Sequence, residues 1–158
     1  MITCTFEDGG AAKLRHCVVD NIIVDNNKIL LVKRAPHMTN PGKYALAGGF
    51  VERDETTHDA VIREIKEETG YVCEVEFLLR IADNPDRMQE DRQNISFVYV
   101  VKALEKVGEK DNESSEVKWF DLDSLPLKDQ FAFDHYDNVQ LYMSYLKHPF
   151  ALPHIGKV

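Results

Sequence analysis

The sequence predicts an α/β fold in which a mixed β-sheet lies between helices. Apolar, β-branched runs recur along the 158 residues, two segments carry apolar residues at helical spacing, and strand-like and helix-like segments are mixed in order. No internal repeat, low-complexity tract or linker divides the sequence. We therefore expect a single domain over residues 1–158.

The first half of the chain predicts three strands. Residues 14–24 and 28–33 are apolar, β-branched runs on either side of Asp25-Asn26-Asn27. This pattern predicts a hairpin, because asparagine and aspartate tolerate the left-handed backbone of a tight turn. After a proline-containing loop over 35–42, residues 44–51 predict a third strand. Its two consecutive glycines would let the backbone approach a ligand closely.

The remainder of the chain, from Thr56 on, predicts two helices and three strands. A helix over residues 57–69 has Thr56 and Asp59 as a capping box at its start and Gly70 as its C-terminal stop. A second helix over 134–146 begins with a capping Asp134. The remaining elements are strands over residues 72–82, 95–103 and 117–122, with polar loops over 83–93 and 106–115.

Composition excludes several classes of protein. The chain is 44% hydrophobic and 29% charged, which is ordinary for a soluble globular domain. Its net charge of −8, from 19 basic and 27 acidic residues, argues against sequence-independent binding of nucleic acid, which requires a basic face. No apolar run is long enough to span a membrane, and the acidic N-terminus differs from a secretory signal, so we expect a cytoplasmic protein without a membrane partner. The three widely spaced cysteines predict neither a disulfide framework nor a zinc site.

One short window carries seven residues at fixed spacing. The pattern is G-x5-E-x7-R-E-I-x-E-E-x-G, formed by Gly49, Glu55, Arg63, Glu64, Glu67, Glu68 and Gly70. Seven specified residues would coincide by chance roughly once in 10^8 start positions at average residue usage. The three clustered glutamates alone could be a solvated acidic stripe. The other residues in register favour a functional site instead.

The predicted helix concentrates three carboxylates on one face. Residues three and four apart on a helix are neighbours, so Glu64, Glu67 and Glu68 project into one small volume. A hard divalent cation such as Mg2+ or Mn2+ would relieve their repulsion, because it binds carboxylate and phosphate oxygens. Arg63 can orient one of these carboxylates with its planar guanidinium. The opposite side carries Val61, Ile62 and Ile65, which we expect to pack on a core.

The window resembles the Nudix box, and the chain resembles Nudix hydrolases over roughly residues 14–146. Outside the box, residues 28–34 resemble the family's strand that ends in an arginine, and residues 117–126 resemble its tryptophan strand with a following Leu-Pro turn. The resemblance implies an α/β/α sandwich and hydrolysis of a nucleoside diphosphate linked to another moiety. Ala47 and Tyr71 depart from the family's pattern, at positions that affect packing more than chemistry.

The resemblance also implies roles for individual residues. Glu67 and Glu68 resemble the metal ligands, and Glu64 resembles either a further ligand or the base that activates water. Arg63 would orient these carboxylates. The backbone carbonyl near Gly49 would be another metal ligand.

Three further glutamates complete the predicted acidic site. Glu55 would be a supporting carboxylate that does not touch the substrate. Glu113 and Glu116, which precede Trp119, could supply another metal ligand or the general base. A solvated acidic loop is the alternative interpretation of this pair.

The substrate is predicted mainly by resemblance. Pro85 lies 15 residues after Gly70, as in members that prefer ADP-ribose, so we expect ADP-ribose or a related nucleoside diphosphate sugar. The candidate substrate-binding residues are Arg34, Phe50, Arg87 and Arg92, although surface salt bridges would explain the arginines equally well. The alternatives are a nucleoside triphosphate substrate, as in pool-sanitising members, and a non-catalytic ligand sensor, which the intact box disfavours. We expect a small-molecule nucleotide as the partner and leave a homodimer open.

Two features near the second helix have structural interpretations. His135 beside Asp134 resembles a catalytic dyad, but a residue at a helix start is more often a capping neighbour. Phe131, Phe133 and Tyr136 could stack on a base, although core packing is the favoured interpretation.

Overall fold

The computed structural model describes residues 2–87 and 92–157 and shows a mixed sheet with one helix on each face. Part of the predicted loop over 83–93, residues 88–91, lies outside the described residues. The strands are β1 (Ile2–Thr5), β2 (Ala11–Leu14), β3 (Cys17–Asp25), β4 (Lys28–Arg34), β5 (Tyr44–Ala45), β6 (Tyr71–Ala82), β7 (Ile95–Lys106), β8 (Ser114–Asp121) and β9 (His154–Ile155). The helices are α1 (Thr57–Thr69) and α2 (His135–Lys147), and a single 3-10 turn lies at Lys128–Gln130.

The main sheet is mixed because β3 and β7 run parallel at its centre, whereas β3 with β4 and β6 with β7 run antiparallel. The strand order is β5-β4-β3-β7-β6-β9. The strand β8 pairs with β4 along the edge opposite to the one that pairs with β3. Leu30 of β4, for example, has Ile23 as its partner on one side and Trp119 on the other. β1 and β2 form a separate two-stranded hairpin.

Alternate side chains of the strands build a separate core on each face of the sheet. On one face, Val19 of β3 belongs to the same cluster as Val61 and Ile65 of α1. On the other face, Ile22 of β3 belongs to the same cluster as Val139 of α2. All five side chains are fully buried. The predicted core position of Ile62 is wrong, because its side chain is 40% exposed. Consecutive residues of a strand point to opposite faces, and this produces the predicted α/β class with helices on both sides of the sheet.

Local backbone conformations explain the β3–β4 turn and both ends of α1. Asn26 and Asn27 have φ angles of 45° and 62°, so the predicted left-handed turn residues connect the hairpin. The Thr56 side chain accepts the Asp59 N–H while the Asp59 carboxylate accepts the Thr56 N–H, which is the predicted capping box. Gly70 ends α1 at a φ of 76°, and a side chain there would overlap the backbone of Gly108.

The predicted strand over residues 44–51 is much shorter in the structure. Regular pairing with β4 stops at Tyr44–Ala45, and the following segment makes only isolated bridges to β3 at Ala47 and Phe50. The N-terminal hairpin is a second difference, because its strands are short and mostly exposed and so lack an apolar pattern in the sequence. Within residues 2–87 and 92–157, neither helix has the length and apolarity that a membrane crossing requires.

The predicted capping role of Asp134 is wrong. Asp134 does precede α2, but its side chain makes no capping hydrogen bond. Its carboxylate accepts hydrogen bonds from Arg80 and Arg87 instead. Two buried guanidiniums offer stronger, charge-assisted partners than the backbone N–H groups of the helix.

Candidate active site

A cleft of about 490 Å3 contains most of the residues that the sequence predicts for a site. Its volume lies within the range of roughly 300–1,000 Å3 that is typical of small-molecule sites. The predicted residues that line it are Arg34, Gly49, Phe50, Arg63, Glu64, Glu67, Arg87, Arg92 and Glu113. Glu68 does not line the cleft directly and is buried against Gly48, which does.

Arg63 connects the acidic residues of the cleft. Its guanidinium donates to Glu55 at 2.6 and 3.1 Å, to Glu64 at 2.8 Å and to Glu67 at 3.2 Å. It also donates to the carbonyl of Phe50 at 3.0 Å, so it links α1 to the segment after the paired glycines. These hydrogen bonds, the one to Glu55 above all, raise the pKa of Arg63. The contacts are those of a residue that orients carboxylates, and this role stays a prediction.

Glu64 lies against the backbone at Gly49. A Cβ atom added at Gly49 would lie only 2.7 Å from Cδ of Glu64, so only glycine leaves room for the carboxylate. Burial raises the pKa of the Glu64 carboxyl; the hydrogen bond and charge of Arg63 oppose this shift, and the charges of Glu67 and Glu113 add to it. The Gly49 carbonyl accepts the Val19 N–H at 2.9 Å, which leaves one lone pair for another partner.

Glu68 is a buried carboxylate beside the cleft. It is 5% exposed, and its Oε2 accepts the Gly48 N–H at 2.9 Å. Burial raises the pKa of the Glu68 carboxyl well above its usual value; the hydrogen bond from Gly48 opposes this shift, and the charges of Glu64, Asp111 and Glu113 add to it. A nearby cation would favour the charged form of such a carboxylate.

The donor chemistry of the acidic residues fits a hard divalent cation. The three glutamates offer only oxygen atoms, and Glu67 is half exposed at the cleft. They do not form a preassembled ligand cluster: in the described parts of the chain, no three His, Cys, Asp or Glu side chains converge as metal ligands. Glu64 and Glu67 are held by Arg63, and Glu68 is held by Gly48. Which of these side chains hold a metal stays a prediction.

Other residues of the same cleft are cationic and aromatic. The Arg92 guanidinium lies 5.4 Å from the centre of the Phe50 ring, and that of Arg34 lies 5.2 Å from the centre of the Phe133 ring. Nε of Arg34 donates to the Thr39 carbonyl at 2.5 Å, which fixes the direction of its guanidinium. Phe50 is 42% exposed. Arginine beside a flat ring offers both a partner for phosphate and a surface for stacking.

Arg87 lines the cleft but is held in a buried ion network. Its Nη2 donates to Asp20 and its Nε donates to Asp134, both at 2.7 Å, and the side chain is 5% exposed. Burial alone would lower the pKa of Arg87, but the two carboxylates raise it above its usual value. Arg80 donates to the same Asp134 at 3.2 Å. A substrate phosphate would therefore have to compete with two protein carboxylates for Arg87.

Asp20 is a residue of the cleft that the sequence analysis missed. Its Oδ2 accepts hydrogen bonds from Arg87 and Ser96, and its Oδ1 lies 3.3 Å from Nε2 of His135. Burial alone would raise the pKa of the Asp20 carboxyl, but the charge of Arg87 and the hydrogen bonds from His135 and Ser96 hold it well below its usual range. The only local signal is an aspartate inside the mainly apolar run of β3.

The remaining predicted positions are placed as follows. Pro85 is exposed in a turn, Glu116 lies in β8, and neither is among the cleft-lining residues. Phe131 is 2% exposed and belongs to the core, as favoured, whereas Phe133 both packs against the core and lines the cleft. Asp111 also lines the cleft, from the polar loop before β8, where no motif marks it.

Comparison with known proteins shows the family to which the chain is related. A family model described as NUDIX domain matches residues 14–142. An ADP-ribose pyrophosphatase of Methanocaldococcus jannaschii is 42% identical over 127 residues, which cover 79% of this chain and 71% of that protein. The crystal structure of a NUDIX hydrolase from Nitrosomonas europaea matches with a TM-score of 0.80 at 25% identity, covering 99% of this chain and 93% of that chain.

A further solved structure is a bifunctional NMN adenylyltransferase/ADP ribose pyrophosphatase from Francisella tularensis, complexed with AMP and a Mn ion. It matches with a TM-score of 0.58 at 26% identity and covers 88% of this chain and 43% of that chain. These similarities, together with the mixed sheet between two helices, define a hydrolase of the pyrophosphatase type. The chain belongs to the Nudix hydrolase family, whose members generally use divalent metal ions and act on small nucleotides. The predicted family, fold class and enzyme class are confirmed.

Gly49→Ala is expected to lower kcat/KM by roughly 100-fold with little loss of stability. The added methyl group would displace the Glu64 carboxylate, and a displacement of about 1 Å at a reacting centre can cost about 100-fold. Because the obstructing atoms belong to the flexible end of a side chain, the fold should adjust. Steady-state kinetics and thermal unfolding would measure both effects. Gly108→Ala is the matched control, since a Cβ there meets nothing within 4 Å; equal losses in both variants would contradict the prediction.

Proposed function

We propose that this protein hydrolyses the pyrophosphate bond of ADP-ribose, or of a closely related nucleoside diphosphate sugar, with Mg2+ or Mn2+ as its cofactor. Water would attack one phosphorus atom, the bridging P–O bond would break, and ADP-ribose would yield AMP and ribose 5-phosphate. The observation that carries the proposal is that carboxylates, arginines and the aromatic rings of Phe50 and Phe133 line one cleft.

Two of the similar proteins support this choice of substrate. The relative at 42% identity is named an ADP-ribose pyrophosphatase, and the bifunctional enzyme carries the same activity in its name and was solved with AMP and Mn. The physical argument is charge: a diphosphate needs cationic partners, and an acidic chain provides them only locally, through bound metal and clustered arginines. Arg34, beside the Phe133 ring, and Arg92, beside the Phe50 ring, are the cleft arginines that we propose as phosphate partners.

The acidic residues would hold the metal and activate water. The carboxylates of Glu67 and Glu68 and the Gly49 carbonyl are the proposed ligands. A bound divalent ion neutralises phosphate charge and lowers the pKa of bound water. Glu64 is the proposed base, because it is fixed in the cleft by Arg63 and can accept a proton there.

Other residues would position the substrate. Arg34 and Arg92 would contact the two phosphates, and the exposed face of Phe50 would stack on the base or pack against the ribose. Arg63 and Glu55 would not touch the substrate, because the Arg63 guanidinium is saturated by three carboxylates and the Phe50 carbonyl. Glu113, which is exposed at the same cleft, is the alternative base.

We expect ADP-ribose to have the highest kcat/KM among candidate substrates, by tenfold or more. Tenfold corresponds to about 1.4 kcal/mol of transition-state discrimination. The measurement compares ADP-ribose, NADH, a diadenosine polyphosphate, dGTP and oxidised dGTP at matched Mg2+, with chromatographic detection of the nucleotide products. Removal of divalent ions with a chelator should abolish turnover, and added Mg2+ or Mn2+ should restore it.

Two outcomes would contradict parts of this proposal separately. A triphosphate preferred by tenfold or more would reject the ADP-ribose assignment and leave the pyrophosphatase chemistry in place. Binding of nucleotides without turnover of any of them, at any metal concentration, would favour a ligand sensor instead.

A further inference from the structure

We propose that His135 is a positioning residue for the glycine segment of the site, defined as Leu46 to Gly49, and that it acts as a neutral imidazole with its proton on Nε2. The inference rests on the proposed function, because this segment carries the groups that contact Glu64 and Glu68. The neighbouring Asp134 is not the partner of the imidazole, because the ring accepts a hydrogen bond from the Leu46 N–H and faces the Asp20 carboxylate.

His135 joins two distant parts of the chain at the cleft. It is the first residue of α2 and is only 3% exposed. Its Nδ1 accepts the backbone N–H of Leu46 at 2.9 Å, between residues 89 positions apart. Its Nε2 lies 3.3 Å from Oδ1 of Asp20. Both nitrogens of the ring therefore have a partner, and the ring cannot rotate without losing both.

The partners of the ring determine where its proton resides. A backbone N–H can only donate, so Nδ1 must be the unprotonated, accepting nitrogen. The carboxylate of Asp20 can only accept, so Nε2 carries the proton. A doubly protonated ring would direct the Nδ1 hydrogen against the N–H of Leu46 and lose that hydrogen bond.

The surrounding charges also favour a neutral ring. Two carboxylates, Asp20 and Asp134, are paired with two guanidiniums, Arg80 and Arg87, through hydrogen bonds of 2.7–3.2 Å. This buried group is balanced without a further positive charge, and an unbalanced buried charge is costly. The N-terminus of a helix is itself partly positive and disfavours a cation at its first residue.

The glycine segment is held from two directions, and His135 supplies one of them. From the side of β3, the Asn21 N–H donates to the Ala47 carbonyl and the Val19 N–H donates to the Gly49 carbonyl, each at 2.9 Å. From the side of α2, His135 holds the N–H of Leu46. Two residues further along, the Gly48 N–H meets Glu68, and the next residue faces Glu64. Loss of the His135 hydrogen bond would release the end of the segment where it enters the site.

Asp20 holds the His135 imidazole in its orientation. Its other oxygen is held by Arg87 and Ser96, so Oδ1 has a fixed position toward His135. Outer partners of this kind set the orientation and tautomer of a histidine and typically contribute about 10- to 100-fold to activity or metal affinity in metal sites. The buried ion network therefore orients Asp20, Asp20 orients His135, and His135 holds the backbone beside the acidic residues.

The first test measures the protonation of His135 directly. Long-range 1H–15N correlation spectra of 15N-labelled protein at neutral pH should show the Nε2–H form for His135, with exposed His148 as an internal reference. An Nδ1–H form, or a ring protonated on both nitrogens, would overturn the proposal. This measurement needs no substrate and no variant.

The second test compares His135→Gln with His135→Leu. A glutamine side chain can accept the Leu46 N–H with its oxygen and donate to Asp20 with its amide, whereas leucine can do neither. We expect the leucine variant to lose about 10- to 100-fold in kcat and to need more Mg2+ for half-maximal activity, at an unchanged KM for ADP-ribose. The glutamine variant should recover most of both. His148→Leu is the control, because His148 is exposed at the end of α2.

Amide hydrogen exchange separates positioning from general loss of structure. In His135→Leu, the amides of Leu46 and Gly48 should exchange faster while those at the β3–β7 pairing stay protected; in His135→Gln they should stay close to the wild type. Unchanged exchange at both amides in the leucine variant, or a glutamine variant as impaired as the leucine one, would overturn the proposal. If His135→Leu does not fold, the tautomer of His135 in the wild type and the activity and amide exchange of His135→Gln test the proposal instead.

Failure of the proposed function would be visible separately. A wild-type protein that does not hydrolyse ADP-ribose would reject that substrate, and the tautomer and exchange measurements would still decide the role of His135. The kinetic comparison would then use whichever substrate the protein does hydrolyse.

Discussion

Replacing Glu67 or Glu68 by glutamine is expected to reduce the kcat for ADP-ribose by roughly 100- to 1,000-fold, the usual loss when a group that stabilises transition-state charge is removed. Glutamine keeps the size of the side chain and removes the negative charge that would bind a divalent ion. For Glu68 it also keeps an oxygen for the Gly48 N–H, so the fold should be preserved. Kinetics across a Mg2+ titration, with circular dichroism as a check of folding, would measure the effect.

The comparison of the two variants is informative because the two carboxylates differ in burial. Glu67 is half exposed and shared with Arg63, whereas Glu68 is buried and held only by Gly48 among the hydrogen bonds described. Glu105→Gln is the control, since Glu105 is an exposed glutamate in β7. If the Glu67→Gln, Glu68→Gln double variant turns over substrate at the wild-type rate, neither residue binds the metal.

The acidic helix was predictable from sequence because its determinants are local. The Thr56–Asp59 capping box and Gly70 mark both ends of α1, and helical spacing alone places the three glutamates together. The turn at Asn26-Asn27 has the same local origin. What helical spacing could not reveal is that Glu68 is buried against Gly48 while Glu67 remains half exposed, because this difference depends on how the glycine segment packs beside α1.

The buried ion network was not predictable, because its members are far apart in the chain. Arg87 reaches Asp20 across 67 residues and Asp134 across 47 residues. A capping role for Asp134 and a phosphate-binding role for Arg87 were reasonable from local pattern alone. Instead, Asp134 accepts long-range, charge-assisted hydrogen bonds from arginines, and Arg87 donates to protein carboxylates. The shortening of the strand at Tyr44–Ala45 also depends on tertiary pairing, since the next residues turn toward β3.

Replacing Arg87 by methionine is expected to lower the free energy of unfolding by about 3–5 kcal/mol, because removal of one partner leaves a buried charge without compensation. Asp20 would keep only Ser96 and His135, in a position that is 7% exposed. Urea unfolding at pH 7 would measure the loss. Arg53→Met is the matched control: Arg53 pairs with Asp54 at 3.5 Å on the surface, with side chains 93% and 84% exposed, and its loss should change stability by no more than about 0.5 kcal/mol.

The pH dependence of this loss identifies the charge that is left unpaired. In the wild type the pKa of Asp20 is lowered in the folded state, so its contribution to stability is present above the unfolded pKa of about 4 and is lost as the pH falls below it. Without Arg87, burial should raise the pKa of the Asp20 carboxyl above its unfolded value, and the folded variant then gains stability as Asp20 takes up a proton on acidification. The difference in stability between the two proteins should therefore narrow as the pH is lowered from 7 toward 4. A difference that stays constant over this range would show that Asp20 is not the group that Arg87 stabilises.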